Sequence, residues 1–435
     1  MRISVIGCGY LGAVHAAAMA EQGHEVVGID VDEARIASLS AGRAPFFEPG
    51  LPEVLTSATA TGRLRFTTDF SAVADADVHF VAVGTPQVQG GDAADMRFVD
   101  AAFTALLEHV SDGDIIVGKS TVPVGTASRL ASQVEAAVPG ATLVWNPEFL
   151  REGFAVKDTI SPDRLVYGVP AGEAGERAAR ILDQVYFSAV AAGTPVIVTD
   201  YATAELVKVS ANAFLATKIS FINAMAEIAE ATGADVTQLA DAIGHDARIG
   251  RRFLNAGVGF GGGCLPKDIR AFSARAAELG KGEALAFLAE VDKINLRRRQ
   301  RVVDLVAEEV GALAGARVAM LGLAFKPHSD DIRDSPALEV AMRLAESGAS
   351  VIATDPQAVD TARRRVPQLE YTTSVEEAVT GADAVVLLTE WPEFVALDPA
   401  CVGTLVAHRL IIDGRNCLDA AAWRAAGWTY RGLGR

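Results

Sequence analysis

The sequence has few of the residues that cross-link small secreted proteins or hold structural metals. Only four of its 435 residues are cysteine, and no two of them form a C-x-x-C pair. The seven histidines show no metal-ligand spacing such as H-E-x-x-H. This scarcity argues against a disulfide framework and against a zinc site, so we predict that the protein binds no metal.

Positive charge is also in deficit, because the formal net charge is −16. A chain this acidic is poorly suited to binding nucleic acid or an anionic membrane. The most apolar early stretch, residues 3–20, is interrupted by glycines and a histidine, and we find no signal peptide or spanning segment. We therefore expect a cytoplasmic protein whose partner is a small molecule, with no nucleic acid and no membrane partner.

A glycine-rich turn near the N-terminus predicts dinucleotide binding. The segment RISVIGCGYLGAVHAAAMAEQGHEVVGID is typical of a strand, a tight turn, a helix and a second strand. Gly7, Gly9 and Gly12 have G-x-G-x-x-G spacing, and Asp30 closes the second strand, where a carboxylate can hydrogen-bond the adenosine ribose. Because that acid would repel a 2′-phosphate, the pattern favours NAD over NADP.

Short apolar strand patterns recur at both ends of the chain. ADVHFVAVGTP (76–86) matches ADAVVLLTEWP (382–392), and RISVIGCGYLG at the start matches RVAMLGLAFKP (317–327). Buried strands that alternate with helices are typical of parallel sheets. We predict an α/β protein with two doubly wound, Rossmann-like parallel-sheet domains, of which only the first has the complete glycine pattern.

A long helical pattern separates the two ends. YATAELVKVSANAFLATKISFINAMAEIAEAT follows two residues that can cap a helix and stops before Gly233, a natural residue after a helix end. Such a helix would be about 45–50 Å long and could offer an apolar face for dimerisation. The predicted domains are an NAD-binding domain at 1–198, a central helical and dimerisation domain at 199–300, and a second Rossmann-like domain at 301–435.

The central region also contains the basic run KINLRRRQR, residues 293–301. A cluster of cations within a helical pattern is typical of a solvated helix face. We assign this run no function.

A cysteine stands at the end of the glycine-rich segment GVGFGGGCLPKD. Pro266 suits the first position of a helix, because its missing N–H has no intrahelical partner there. Cys264 would then lie at a helix N-terminus, where unpaired N–H groups, the macrodipole and nearby Lys267 favour a thiolate. Taken alone, the segment also fits a flexible loop followed by an inert buried cysteine.

Ordered motifs over nearly the whole length resemble those of the nucleotide-sugar 6-dehydrogenases. They are GCGYLG, VGTP (83–86), KSTVPVGT (119–126), NPEFLREG (146–153), ELVKVSANAFLA (205–216), RIGRRFLNAGVGFGGGCLPKD (248–268), AFKPHSDDIRDSP (324–336) and DGRN (413–416). The departures are small: Gly263 stands where many members have serine, and Leu265 follows the cysteine.

The resemblance implies a double oxidation of a sugar CH2OH to a carboxylate, which takes UDP-glucose to UDP-glucuronate and reduces two NAD. Cys264 would capture the intermediate aldehyde as a thiohemiacetal, and the second oxidation would leave a thioester for water to hydrolyse. Lys208 and Asn212 would stabilise the oxyanion. The candidates for proton transfer are Asp268, Glu148 and Thr121.

The same resemblance implies binding roles by motif position. Contacts with NAD are implied for Gly7, Gly9, Leu11, Gly12, Asp30, Arg35, Thr85, Thr121, Glu152, Lys267 and Arg333. Contacts with the nucleotide sugar are implied for Glu148, Phe149, Leu150, Arg151, Glu152, Lys208, Asn212, Arg248, Phe253, Leu254, Asn255, Ala256, Gly257, Gly261 and Lys326. Arg248 and Lys326 would suit a pyrophosphate. In this family Arg248 would reach the neighbouring subunit's site, which implies a homodimer.

Three alternatives share part of this pattern. A GDP-mannose or UDP-N-acetylmannosamine dehydrogenase would use the same cysteine chemistry. A single-step hydroxyacid dehydrogenase shares the glycine turn and the Lys/Asn helix but needs no thiolate. A non-catalytic nucleotide-binding regulator would retain only the fold. The DGRN and FLNAGVGFGGGC motifs favour UDP-glucose.

Overall fold

The computed structural model describes every residue from Met1 to Arg435. The chain forms two compact units, one of residues 1–211 and 277–279 and the other of residues 212–276 and 280–435. None of the helices combines the length and the apolar composition that a membrane span requires.

The first unit contains an eight-stranded sheet. Its strands are β1 (Arg2–Ile6), β2 (Glu25–Ile29), β3 (Leu64–Thr67), β4 (Val78–Val81), β5 (Ile115–Gly118), β6 (Thr142–Trp145), β7 (Leu165–Gly168) and β8 (Val196–Thr199). Their order is β3-β2-β1-β4-β5-β6-β7-β8, and every pair is parallel except β6 with β7. The predicted Rossmann-like sheet is therefore present, with one antiparallel step added towards the edge.

Helices cover both faces of this sheet. They are α1 (Tyr10–Glu21), α2 (Glu33–Ser40), α3 (Leu51–Ala60), α4 (Arg97–Leu107), α5 (Thr126–Ala137), α6 (Ala155–Ile160), α7 (Glu173–Val185) and α8 (Phe187–Ala191), with a 3₁₀ turn at Phe70–Asp75. Along β5, Ile115 and Val117 join one core cluster and Ile116 joins the other. Successive strand side chains point to opposite faces, so the alternation places an apolar layer on each side.

The central region is helical. It consists of α9 (Tyr201–Thr232), α10 (Val236–Gly244), α11 (Leu265–Glu278) and α12 (Phe287–Val310), with a 3₁₀ turn at Gly282–Leu285. The predicted long helix is confirmed as α9, whose 32 residues end before Gly233 with φ of +76°. That left-handed conformation favours glycine after a helix end.

The basic run of α12 differs from our interpretation, which is wrong for its central residues. Asn295, Arg298 and Arg299 are 0%, 0% and 1% exposed. Arg298 pairs with Glu230, and Arg299 pairs with carboxylates that follow much later in the chain. The sequence run suggested a solvated face because these buried partners are not adjacent to it.

The second unit contains a six-stranded sheet. Its strands are β9 (Arg317–Leu321), β10 (Ser350–Thr354), β11 (Glu370–Tyr371), β12 (Ala384–Leu387), β13 (Leu410–Asp413) and β14 (Thr429–Gly432), in the order β11-β10-β9-β12-β13-β14. The accompanying helices are α13 (Pro336–Glu346), α14 (Val359–Arg365), α15 (Val375–Val379), α16 (Pro392–Val395), α17 (Pro399–Val402) and α18 (Ala420–Ala425). All pairs are parallel, which confirms the second predicted Rossmann-like sheet.

Candidate active site

The glycine turn after β1 has the geometry of a phosphate-binding turn. Gly7 has φ of +88°, and its N–H donates to the Ile29 carbonyl at 2.8 Å. A Cβ on Gly12 would lie 1.8 Å from the Gly7 oxygen, whereas a Cβ on Gly9 would meet nothing within 4 Å. No side chain caps α1 at Gly9, so a pyrophosphate fits the open helix N-terminus. Leu11 lies on the first turn of α1.

Asp30 lies directly beyond β2, beside this turn. Its Oδ2 accepts the Cys8 N–H at 2.7 Å, and its Oδ1 accepts the Asp32 N–H at 3.0 Å and an Arg35 N–H at 2.8 Å. A carboxylate has about four acceptor positions, so Oδ2 can still accept a ribose hydroxyl. The residues present therefore fit NAD at this turn.

Two predicted cofactor residues meet at the carboxyl ends of β4 and β5. The Thr85 hydroxyl donates to the Thr121 carbonyl at 2.8 Å. The adjacent Ser120 hydroxyl donates to the Val83 carbonyl at 2.6 Å. These bonds tie the two loops together at the sheet edge where Rossmann-like folds bind their ligands.

A buried ion pair joins two predicted catalytic residues of the first unit. The Nζ of Lys208, on α9, lies 2.9 Å from Oε1 of Glu148, which follows β6. The same Nζ lies 5.7 Å from the centre of the Phe149 ring, and the Arg164 guanidinium stacks on that ring at 3.8 Å. Lys208 thus lies close to both a predicted proton-transfer residue and an aromatic residue assigned to the sugar.

Sequence reasoning missed a second buried lysine nearby. Lys119 Nζ donates to Asn146 Oδ1 at 3.0 Å and to the Tyr186 hydroxyl at 3.1 Å. Burial lowers the pKa of Lys119 to about 8; the Glu148 charge opposes this and the Lys208 charge adds to it. Lys119, Asn146, Glu148 and Tyr186 line one cleft of the first unit. The available signal was a lysine directly after the apolar strand IIVG.

The loop after β6 carries three more predicted residues. The Leu150 N–H donates to Glu148 Oε2 at 2.9 Å, and Arg151 pairs with Asp158 at 2.7 Å. Glu152 follows and is half-buried. Buried Glu48, which the sequence did not single out, accepts the Gly153 and Ala155 N–H groups at 2.6 and 2.7 Å.

In the second unit, Cys264 immediately precedes α11 and is exposed. The helix starts at Leu265 rather than at Pro266, and its Asp268 N–H donates to the Cys264 carbonyl at 2.9 Å. This position and exposure argue against the alternative of an inert buried cysteine. The lowered thiol pKa stays a prediction.

Asp268 is the centre of a polar cluster one turn into α11. Its buried carboxylate accepts the Asn212 side-chain N–H at 2.6 Å and pairs with Lys267 at 2.6 Å. The structure thus brings together three of the residues predicted from sequence. Such a carboxylate can exchange a proton while its amide and ammonium partners hold its orientation.

The predicted sugar-binding segment of the second unit forms a loop before Cys264. Its members are Phe253, Leu254, Asn255, Ala256 and Gly257. Phe253 has φ of +66°, which is uncommon for a residue with a Cβ. The Gly257 N–H donates to buried Asn223 at 2.9 Å, so α9 anchors the end of this segment.

The following glycines pack against the turn at residues 331–335. A Cβ on Gly261 would lie 2.2 Å from the Asp334 carbonyl, and the Gly262 N–H donates to the Arg333 carbonyl at 2.9 Å. A Cβ on Gly263 would lie 2.3 Å from Cζ of Arg333. A serine at this position would have to displace that guanidinium, which is the flexible end of a long side chain.

The two cations assigned to a pyrophosphate are in different settings. Lys326 is half-buried, with its Nζ 5.3 Å from the centre of the Phe325 ring. The Arg248 side chain is 89% exposed and pairs with Asp246 at 2.6 Å.

A Rossmann-like sheet with an open glycine turn and an acid beyond its second strand defines a dinucleotide-dependent dehydrogenase. Comparison of the sequence with known families places the chain within that class. It belongs to the UDP-glucose/GDP-mannose dehydrogenase family, whose NAD binding domain matches residues 1–188, central domain 202–297 and UDP binding domain 319–420. The predicted family, NAD cofactor and enzyme class are confirmed.

Individual relatives cover the whole chain. The UDP-glucose 6-dehydrogenase TuaD of Bacillus subtilis (strain 168) is 42% identical over 439 residues, which are 100% of this chain and 93% of the relative. A UDP-glucose dehydrogenase structure from Pyrobaculum islandicum has 38% identity and a TM-score of 0.90, covering 100% and 97% of the two chains. A UDP-D-ManNAc dehydrogenase structure from Pyrococcus horikoshii has 28% identity and a TM-score of 0.87, covering 100% and 99%.

Proposed function

We propose that this chain oxidises UDP-glucose to UDP-glucuronate through Cys264, and that bound NAD supplies the hydride acceptor for both oxidations. The observation that carries this is the exposed Cys264 preceding the helix whose first turn holds buried Asp268. Similarity supports the substrate, because the two UDP-glucose dehydrogenases are 42% and 38% identical whereas the UDP-D-ManNAc enzyme is 28% identical.

The thiol chemistry balances as follows. The sugar alcohol loses a hydride and a proton and becomes an aldehyde. The Cys264 sulfur adds to the aldehyde carbon and forms a thiohemiacetal, which carries a hydrogen on that carbon. Loss of this hydride and of the hydroxyl proton leaves a thioester. Water then breaks the C–S bond, which releases the carboxylate and restores the thiol.

We assign the oxyanion to Lys208 and Asn212, which are four residues apart and so face the same side of α9. We assign proton transfer to Asp268, Glu148 and Thr121. The two buried pairs, Lys208 with Glu148 and Asn212 with Asp268, support this assignment because each joins a proposed oxyanion donor to a carboxylate.

The binding roles implied by motif position are part of the proposal. NAD would contact the glycine turn, Asp30, Arg35 and the loops of Thr85 and Thr121, together with Leu11, Glu152, Lys267 and Arg333. The nucleotide sugar would contact residues 148–152 and 253–257, together with Lys208, Asn212, Arg248, Gly261 and Lys326. The three domains would be 1–198, 199–300 and 301–435, and the family matches at 1–188, 202–297 and 319–420 support these boundaries.

We also propose a homodimer that uses α9. Phe214, Phe221 and Ile228 are 67%, 48% and 58% exposed, and their spacing of seven residues puts them on one face of the helix. An apolar stripe of this kind favours burial against a second copy. Replacing Phe221 with lysine should shift the mass measured by light scattering from dimer to monomer, and an unchanged mass would contradict this interface.

We propose the cytoplasm as the location. None of the four cysteines is in a disulfide, and the proposed reaction needs one of them reduced. A reducing compartment keeps such thiols available.

The decisive experiment counts NADH formed per UDP-glucose consumed, with UDP-N-acetylmannosamine and GDP-mannose assayed beside it. We expect UDP-glucose to be the best substrate, with a ratio of two. Cys264→Ala should form no uronate while its Kd for NAD stays within about twofold. A ratio of one would favour the single-step dehydrogenase, and binding without NADH formation would favour a non-catalytic regulator.

A further inference from the structure

We propose that Asn295, Arg298 and Arg299 of α12 are positioning residues for the reaction. They hold the backbone of the glycine loop at residues 257–263 and so fix where the Cys264 thiol is presented. This inference rests on the proposed function for its catalytic consequence, but its structural part can be tested without any substrate.

Asn295 makes the closest contact with the loop. Its Oδ1 accepts the Phe260 N–H at 2.7 Å, and its side-chain N–H donates to the Phe260 carbonyl at 3.0 Å. One buried amide thus satisfies both backbone groups of one loop residue. Gly259 has φ of +96°, and a Cβ there would lie 2.3 Å from Asn295 Oδ1. The loop approaches Asn295 so closely that only glycine fits at this position.

The two arginines add to this contact, one at the start of the loop and one at the Phe260 carbonyl that Asn295 also contacts. Arg298 Nε donates to the Gly257 carbonyl at 3.4 Å, and Arg299 Nη2 donates to the Phe260 carbonyl at 3.3 Å. Buried guanidinium groups are destabilising unless they are paired and hydrogen-bonded. Glu230 pairs with Arg298 at 3.2 Å, and Glu339 and Asp334 pair with Arg299.

Arg299 also fixes the turn on the other side of the cysteine loop. Its Nη2 lies 2.8 Å from Asp334 Oδ1. Asp334 has φ of +47°, and the neighbouring Arg333 carbonyl accepts the Gly262 N–H at 2.9 Å. One arginine therefore holds both the loop that leads into Cys264 and the turn against which that loop packs.

The helical spacing explains why this role was hidden in a basic run. Asn295, Arg298 and Arg299 have i, i+3, i+4 spacing and share one face of α12. Arg297 and Lys293 lie on other faces, where their half-exposed or exposed side chains pair with Glu227 and Glu290. The run therefore contains both an internal polar face and an ordinary surface.

The test compares Asn295→Ala and Arg299→Ala with Arg297→Ala, which removes a surface arginine from the same helix. The rate of Cys264 alkylation by iodoacetamide would be measured by peptide mass spectrometry, with exposed Cys401 as the internal reference. We expect the Cys264 rate, relative to Cys401, to change at least fivefold in the first two variants. It should stay within twofold of the wild type in the control.

Turnover gives the second readout. We expect kcat for UDP-glucose to fall about 10- to 100-fold in Asn295→Ala and Arg299→Ala, with NADH per sugar below two and trapped aldehyde in solution, while KM for NAD stays within threefold. A merely structural role would lower the melting temperature but leave the ratio at two and the alkylation rate of the folded enzyme unchanged. That result would overturn the proposal.

Gly259→Ala tests the same contact from the loop side if the α12 variants fail to fold. Its Cβ would push the loop away from Asn295, so it should reproduce the altered Cys264 alkylation with α12 intact. If the wild type formed no NADH from UDP-glucose, the proposed function would fail, yet the alkylation comparison would still decide whether α12 positions the thiol. Wild-type alkylation in Gly259→Ala would contradict the inference.

Discussion

The two Rossmann-like sheets of this protein place an aspartate after the same strand but use it differently. Asp30 follows β2 and Asp355 follows β10, and each accepts a backbone N–H from the turn after its sheet's first strand. Asp30 accepts three hydrogen bonds, from Cys8, Asp32 and Arg35. The two aspartates therefore have the same place in the sheet topology, and only their remaining hydrogen bonds distinguish their roles.

Asp355 has no acceptor position left for a ligand. It accepts N–H groups of Leu323 and Ala324 at 2.8 and 3.0 Å, and the Trp391 indole N–H at 3.0 Å. The Gln357 and Ala358 N–H groups complete the set at 2.9 Å. These donors saturate both oxygens, so in the second sheet the aspartate is a structural anchor.

The helices that follow the two turns also differ in whether a side chain caps their N-terminus. In the first sheet, α1 begins directly after Gly9 with no side-chain cap. In the second, α13 begins after Ser335, whose hydroxyl accepts the Leu338 N–H. A helix N-terminus that its own serine satisfies is a poorer anion site than one left open. The comparison teaches that dinucleotide binding depends on unsatisfied donors and acceptors at the turn rather than on sheet order.

The largest expected effect is a difference in stability between variants of the two aspartates. Asp355→Asn should destabilise the protein by on the order of 4 kcal/mol, because the amide cannot accept all the N–H groups that surround it. Asp30→Asn should cost about 1–2 kcal/mol and should mainly raise KM for NAD and weaken the preference over NADP. Urea denaturation and cofactor kinetics on both variants measure the difference. Equal stability losses with unchanged cofactor preference would contradict our assignment.

The two sheets also differ in the buried ionisable residue at the carboxyl end of the strand that is fifth in each sheet order. Lys119 follows β5, and Asp413 ends β13, which has the same place in its sheet. Burial lowers the pKa of Lys119 to about 8, whereas burial raises the pKa of Asp413 despite its bonds to Leu418 and Tyr430.

This contrast predicts opposite dependences of stability on pH. For Lys119, the unfolded chain keeps its proton up to the ordinary lysine pKa of 10.5, while the folded chain, with a pKa of about 8, releases it earlier. Between these values the unfolded state binds more protons, so the free energy of unfolding rises with pH, by at most about 3 kcal/mol. For Asp413 the raised pKa makes its contribution fall as pH rises through the acidic range.

Lys119→Met removes the group that makes the free energy of unfolding rise with pH in the alkaline range. We expect the difference in unfolding free energy, wild type minus variant, to increase between pH 7 and pH 10, because only the wild type loses the unfavourable buried charge. Lys293→Met removes an exposed lysine and serves as the control. A difference between wild type and Lys119→Met that does not vary with pH would falsify the depressed lysine pKa.

The smallest expected effect concerns the open turn itself. Gly9→Ala should leave the melting temperature within about 1 °C, since the new Cβ meets nothing within 4 Å. The added methyl should hinder a pyrophosphate at the start of α1 and raise KM for NAD about tenfold, which corresponds to about 1.4 kcal/mol. Steady-state kinetics with saturating UDP-glucose measure it, and an unchanged KM would mean that the phosphates bind elsewhere.

Local sequence signals predicted much of this architecture. The glycine turn, the long helix α9 and the cysteine before α11 depend on neighbouring residues, and the structure has all three. Contacts between distant segments could not be predicted in the same way. The Lys119 to Tyr186 bond spans 67 positions, and nothing near either residue indicates its partner. Arg298 and Arg299 were assigned to solvent because their carboxylate partners lie 35 to 68 positions away.

The reversed direction of β7 has a consequence for the chemistry of its neighbourhood. In a uniformly parallel sheet every strand would begin at the edge opposite the ligand loops, and Arg164, which precedes β7, would lie at that far edge. Because β7 runs against β6 and pairs with it only through Gly168 and Trp145, the last residues of the two strands meet. β7 therefore begins beyond the end of β6, and the Arg164 guanidinium stacks there on the ring of Phe149. A single change of chain direction thus supplies a cation that strand ends alone would not provide there.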